Sequence, residues 1–142
     1  MKRIIIAGSR EFQDYDLLKK EVYDILNLYN NMDDVEIVVG GAEGADKLGE
    51  KFAKELDLKC KVFNANWNGL GKSAGFIRNA EMAKYASENG SKGVLIAFWN
   101  GTSRSTKHMI DSAKENGLEI FINYYDINFK ERIQGAKWKC IY

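Results

Sequence analysis

Val35-Glu36-Ile37-Val38-Val39-Gly40-Gly41-Ala42-Glu43-Gly44-Ala45-Asp46 is the stretch on which the fold turns. A mostly β-branched run gives way, with no linker, to a glycine-rich turn. The chain then continues as a helical stripe of Ala45, Leu48, Phe52 and Leu56. Branching at Cβ stiffens the side chain and suits a pleated surface, whereas apolar recurrence every three or four residues marks one face of a helix. A strand running through glycines straight into a helix is the start of a strand–turn–helix repeat.

The same order recurs on both sides of it. Upstream, Arg3-Ile4-Ile5-Ile6-Ala7 precedes a stripe of Leu18, Val22, Ile25, Leu26 and Tyr29, with Asp14 placed to cap the helix. Downstream come three further runs, Cys60-Lys61-Val62-Phe63, Gly93-Val94-Leu95-Ile96-Ala97-Phe98-Trp99 and Leu118-Glu119-Ile120-Phe121-Ile122. Ile77, Ala80, Ala83 and Tyr85 form a looser stripe between them, and Met109, Ile110 and Ala113 another; Gly90 and Gly117 sit where these helices should end. Mostly unbroken apolar strands are those covered on both faces, and strand–helix alternation implies right-handed crossovers. The expected fold class is therefore α/β, a doubly wound sheet of about five parallel strands.

The tail follows a different rule. Ala136-Lys137-Trp138-Lys139-Cys140-Ile141-Tyr142 alternates strictly, as a half-buried strand does, and Phe129 to Ile133 is the expected hairpin mate across Gln134-Gly135. Such a strand would extend the sheet or pair with a second subunit. Residues 1–124 are accordingly read as one domain, and 125–142 as its C-terminal strand or hairpin extension.

With 142 residues, 45% hydrophobic and 29% charged, the chain has the composition of one globular domain rather than a disordered one. Lys+Arg 21 against Asp+Glu 20 gives a formal net charge of +1, so bulk attraction to nucleic acid or an anionic membrane has no support. No run is long enough for a membrane span, and the four apolar residues after Met1-Lys2-Arg3 are too few for a signal peptide. Cys60 and Cys140 read as reduced thiols, and the expected location is cytoplasmic.

Ligands of open parallel sheets bind beyond the carboxyl ends of the strands. The segments there are Gly8-Ser9-Arg10-Glu11, Gly40 to Asp46, the stretch from Asn64 to Asn79 that holds Trp67, Lys72 and Arg78, and Asn100-Gly101-Thr102-Ser103-Arg104-Ser105-Thr106. Their shared chemistry is anion and nucleotide binding. Glycines admit backbone N–H groups to a phosphate, helix N-termini add partial positive charge, and hydroxyls and guanidinium groups donate directly. Trp67 or Trp99 would stack a base. A glycine after a strand also serves simply to turn the chain, so the weight rests on the four segments together.

Standard signatures are absent. Gly40 to Gly44 lacks the dinucleotide G-x-G-x-x-G spacing, and Gly71-Lys72-Ser73 has Asn66 where a phosphate loop needs its first glycine. One histidine and two distant cysteines do not make a zinc site, and Glu43 and Asp46 have no Mg²⁺ spacing; no metal or cofactor is expected. His108 should face solvent or cap the fourth helix, and Ser9 has no nucleophile-elbow context. Asp46, in the first turn of its helix, either supports the glycine loop, meets ribose hydroxyls, or complements the helix dipole.

Ile5-Ile6-Ala7-Gly8-Ser9-Arg10, Val39 to Asp46, Trp67 with Gly71 to Met82, and Ile96 to Gly101 with Thr106 to Met109 together resemble the YspA-like, YpsA-related branch of the SLOG superfamily, named from the Smf/DprA and LOG proteins. The resemblance covers roughly residues 3–123. It implies a Rossmann-like domain holding a nucleotide-derived ligand: a nucleoside phosphate, an NAD- or ADP-ribose-like molecule, or a cyclic nucleotide signal. On that implication Gly8, Ser9 and Arg10 form one wall. Gly40, Gly41, Ala42 and Gly44 bind phosphate with Asp46 beside them, and Lys72, Arg78 and Asn79 join them. Gly101, Ser103, Arg104, Ser105 and Thr106 close the other side, and Trp67 or Trp99 meets the base. Homodimers or higher homo-oligomers are also implied.

Two departures separate the chain from LOG-type phosphoribohydrolases. Met109 stands where their catalytic glutamate belongs, and Ser105 replaces the glycine before the threonine; their arginine is matched by Arg78. The first expectation is thus a binding protein acting as sensor, carrier or sequestering protein. The second is a nucleotide N-glycosidic hydrolase with a displaced carboxylate among Glu43, Asp46, Glu81 and Asp111, with Arg78, Asp46 and Glu43 as catalytic candidates. Single-stranded DNA binding, as in DprA relatives, is third.

Overall fold

A computed structural model describes residues 2–29, 34–88, 90–125 and 139–140. In chain order the elements are β1 (Lys2–Gly8), α1 (Tyr15–Leu28), β2 (Val35–Val39), α2 (Ala45–Glu55), β3 (Lys59–Val62), α3 (Trp67–Leu70), a 3₁₀ turn (Gly71–Ser73), α4 (Ala74–Ser87), β4 (Lys92–Trp99), α5 (Arg104–Glu115), β5 (Glu119–Tyr124) and β6 (Lys139–Cys140). The sheet order is β3-β2-β1-β4-β5-β6. The first five strands are all parallel, and β6 runs antiparallel along β5 with Cys140 opposite Phe121. The tail strand thus extends the sheet within the chain. Its expected hairpin mate, Phe129 to Ile133, lies outside the described residues.

Strand alternation sorts the core into two layers. Ile4, Ile6, Ile37, Val39, Val94, Ile96 and Phe98 face α1 and α2, where Leu18, Val22, Ile25 and Phe52 meet them. Ile5, Ala7, Val38, Leu95, Ala97, Ile120 and Ile122 face α4 and α5, against Met82, Ala83, Met109 and Ala113. Each large side chain so buried contributes about 1.5–3 kcal/mol, and this two-sided burial is why the central strands read as continuous apolar runs. β3 departs from that pattern: Lys59, Cys60, Lys61 and Val62 are all exposed. Alternating lysines on an edge strand protect it from pairing with another chain.

The loose stripe expected in α4 is corrected. Ala74, Gly75, Arg78, Asn79, Met82, Ala83 and Ala86 form its buried face, while Phe76, Ile77 and Ala80 are exposed. A polar pair, Arg78-Asn79, lies on the buried face, so the apolar pattern alone does not show the phase of this helix. α1 and α2 lie on one face of the sheet, and α4 and α5 on the other. The strand order therefore reverses between the neighbours β1 and β4, whose following segments diverge to opposite faces and leave a crevice.

Candidate functional site

The segment after β1 is a tight turn with buried ends. Ser9 N–H donates to the Phe98 carbonyl (3.1 Å), and Phe12 N–H donates back to the Ser9 carbonyl (3.2 Å). Phe12 is buried and stacks on Phe98 with ring centroids 4.8 Å apart. Arg10 and Glu11 occupy the exposed corner between these anchors.

The segment after β4 is organised by Asn100. Its Oδ1 accepts from the Thr102 and Ser103 amides, both at 2.9 Å, while its Nδ2 donates to Glu11 Oε1 at 2.6 Å. Asn100 thus shapes its own turn and ties it to the turn after β1. Ser103 caps α5 by accepting from the Thr106 amide at 3.4 Å. The Trp99 indole N–H donates to the Ser103 carbonyl (3.1 Å), and its ring tilts against Tyr124.

α4 joins the two halves. Asn79 Nδ2 donates to the Ser105 carbonyl at 3.0 Å, and Arg78 Nη1 donates to the Gly40 carbonyl at 2.8 Å. Arg78 Nε donates to Asn79 Oδ1 at 3.3 Å. Asp46 Oδ2 accepts from the Ala42 amide at 3.2 Å. Burial pushes the Asp46 carboxyl up to about 6, against the opposing pull of the Arg78 charge and the amides of Ala42 and Gly40. Burial likewise lowers Arg78 from the ordinary guanidinium value, with Asp46 opposing the change and Arg10 adding to it. A buried arginine and a buried acid thus sit together at the back of the site.

These pieces enclose a cleft of about 470 Å³ at the crevice between β1 and β4. Of the residues singled out in the sequence, Gly8, Arg10, Ala42, Asp46, Trp67, Arg78, Asn79, Ser103, Arg104, Ser105 and Thr106 line it. Gly40 lies directly behind, bonded to Arg78. Ser9 is buried beneath the first turn, its hydroxyl close to Tyr125 without good hydrogen-bond geometry. Gly41, Glu43, Gly44, Trp99 and Gly101 are not on the lining, and the Lys72 side chain lies outside the described residues.

The glycines explain part of this division. A Cβ on Gly44 would collide with the carbonyls of Ser9 and Arg10, and its φ of +83° suits glycine alone. A Cβ on Gly40 would lie 2.8 Å from Asp46 Oδ2 and 2.9 Å from the Arg78 guanidinium. Their open space is filled by the protein's own groups. The open donors lie elsewhere: Arg10 and Arg104 are exposed on the lining, and α5 begins there. His108 corrects another expectation. It is half-buried and stacks on Phe76, with centroids 4.5 Å apart.

A family model described as the YspA, cpYpsA-related SLOG family matches residues 2–69. The Gene 61 protein of Mycobacterium phage D29 is 31% identical over 133 residues, covering 89% of this chain and 98% of that protein. The chain belongs to the YspA, cpYpsA-related SLOG family. No solved structure matches it. The SLOG assignment agrees with the five-stranded parallel sheet and with the crevice between β1 and β4. No described helix is long and apolar enough to cross a membrane. Among the described residues there is no cluster of metal-ligating side chains.

Glu11, Gly75, Phe76, Asn100, Met82 and Met109 also line the cleft of this SLOG protein and were not selected from the sequence as binding residues. Asn100 had a signal: an asparagine that leaves a strand ahead of Gly-Thr-Ser is placed for a side-chain–backbone turn. Phe76 had none, because the α4 stripe was read out of phase.

Proposed function

We propose that this SLOG protein binds a small nucleotide-derived ligand in the cleft between β1 and β4. The observation that carries the reading is the convergence of Arg10, Arg78, Arg104 and the N-terminus of α5 on one cleft. Arg10 and Arg104, exposed at the mouth, take the phosphate oxygens together with the hydroxyls of Ser103 and Ser105 and the first-turn amides of α5. Arg78 commits two of its five N–H groups to Gly40 and Asn79 and keeps the others for the ligand. Gly8 lines the cleft at the β1 end, where its missing side chain makes room for the Phe98 carbonyl and Ala45. Gly40 supports the site from behind by admitting Asp46 and Arg78, and Gly44 by admitting the turn after β1. The protein then acts as sensor, carrier or sequestering protein.

Calorimetry with AMP, NAD, ADP-ribose and cyclic nucleotides tests this. At least one should bind, and Arg104→Ala should weaken it. Silence from the whole panel with folded protein overturns the reading.

One observation favours a second reading, nucleotide N-glycosidic hydrolysis. Of the four carboxylates considered, Asp46 alone lines the cleft; Glu43 and Glu81 are exposed, and Asp111 pairs with Lys107 at 3.2 Å. Met109, in the place of the LOG glutamate, is buried on the cleft wall. An acid held near 6 is poised for proton transfer at neutral pH. Base release from nucleoside monophosphates, abolished by Asp46→Asn in a folded protein, would convert the binding site into an active site.

A further inference from the structure

Most large aromatic rings in the described part of the molecule have structural partners. Phe12 stacks on Phe98 and meets Tyr125 edge-on, Phe63 packs on Tyr85, and Trp99 is held by Ser103 and Tyr124. Trp67 and Phe76 differ in being 50% and 44% exposed while lining the same cleft. Tyr23 and Leu28 are also exposed, on α1, outside this cleft, and isolated exposure of that kind is ordinary.

Both cleft aromatics are held in place. Trp67 opens α3, whose N-cap Asn66 accepts from the Gly69 amide at 3.0 Å. Its indole rests against Gly75, where an added Cβ would meet the ring at 3.4 Å. Phe76 follows in the first turn of α4 and is stacked on His108. His108 in turn lies 3.5 Å from Asn79 Nδ2, the group that ties α4 to the start of α5. The aromatic pair is therefore fixed to the same frame that positions Ser105 and Arg104. Two exposed aromatic rings lining the same cleft as Arg10, Arg78 and Arg104 match a ligand with a flat ring at one end and an anion at the other.

We propose that Trp67 and Phe76 form the nucleobase end of the cleft, so that the ligand is a base-bearing nucleotide rather than a bare sugar phosphate. This rests on the reading of the cleft as a nucleotide site. It assigns the base to Trp67 instead of Trp99, and adds Phe76 as a binding residue. Stacking on a ring accepts any base, so the pair selects for the presence of a base more than for its identity.

The test compares AMP, GMP, CMP, UMP and ADP-ribose with ribose 5-phosphate on the wild type, Trp67→Ala, Phe76→Ala and Trp99→Phe. The wild type should prefer at least one nucleotide over ribose 5-phosphate by about 10–100-fold. Trp67→Ala should remove most of that preference and Phe76→Ala part of it, both with ribose 5-phosphate affinity unchanged, while Trp99→Phe keeps the preference. Equal binding of ribose 5-phosphate and every nucleotide overturns the base subsite and leaves the phosphate site standing. A preference that survives both Trp67→Ala and Phe76→Ala also overturns it. Binding of none of the probes overturns the nucleotide reading itself.

Discussion

Two turns at the carboxyl edge of the sheet look alike as sequence and are used in opposite ways. Gly40 to Asp46 and Asn100 to Thr106 each leave a buried strand, each contain glycine, and each lead into a helix. In the first, the space around the backbone is filled from within by Asp46, Arg78 and the turn after β1. In the second, a Cβ on Gly101 would meet nothing within 4 Å, and Ser103, Arg104 and Ser105 face the cleft. A glycine-rich turn is therefore not itself a phosphate site: what matters is whether the protein or the ligand occupies the room that the missing side chain leaves.

The contrast can be broken most severely at Gly44. Gly44→Ala must accommodate two backbone carbonyls and a positive φ, so it should cost about 3–5 kcal/mol of stability. A urea midpoint near that of the wild type would show that the turn has slack.

Asp46 gives the next largest effect, and it has a sign. The folded-state value of about 6 lies above the ordinary 3.8, so the native state holds the proton more tightly than the unfolded chain does. Stability from this group is full below about pH 4 and falls as pH rises toward 6, by up to about 3 kcal/mol. Asp46→Asn removes that titration. The variant should gain on the wild type across this window and hold a constant difference above it. A difference that does not vary between pH 4 and 7, measured by denaturant unfolding, contradicts the burial of this acid.

At the open turn the effects should fall on binding rather than folding. Arg104→Ala should weaken nucleotide binding by about 1.5–3 kcal/mol while leaving the melting temperature within a degree or so. A large thermal shift would mean that Arg104 is structural and the turn is not open. The smallest effect belongs to Gly101→Ala. With a φ of +86° and no neighbour, it should lose only the backbone strain, about 1–2 kcal/mol, far less than its counterpart at Gly44.

The fold was legible because two-sided burial writes itself as uninterrupted Ile and Val, as in Ile4-Ile5-Ile6 of β1 and Ile37-Val38-Val39 of β2. The helix of Asp14 and the end at Gly117 were legible from local chemistry alone. The site was legible only in outline. That Arg78 would bond to Gly40 depends on a contact between residues 38 apart, which no local pattern records. Ser9 and Trp99 carry the right groups, yet burial removes the Ser9 hydroxyl from the cleft and Ser103 and Tyr124 hold Trp99, through packing that forms only in the folded chain. Phe76 was missed because Arg78 and Asn79 are polar residues on a buried face, and polarity concealed the helix phase.

The most direct test is amide mapping by nitrogen–proton correlation spectroscopy during titration with AMP and ADP-ribose. A ligand seated between β1 and β4 should move the amides of Arg10, Glu11, Gly75, Phe76 and Ser103 to Thr106 together, while those of β3 and the adjoining end of α2 stay still. Shifts confined to β3, or none at millimolar nucleotide, would contradict a nucleotide site in this cleft.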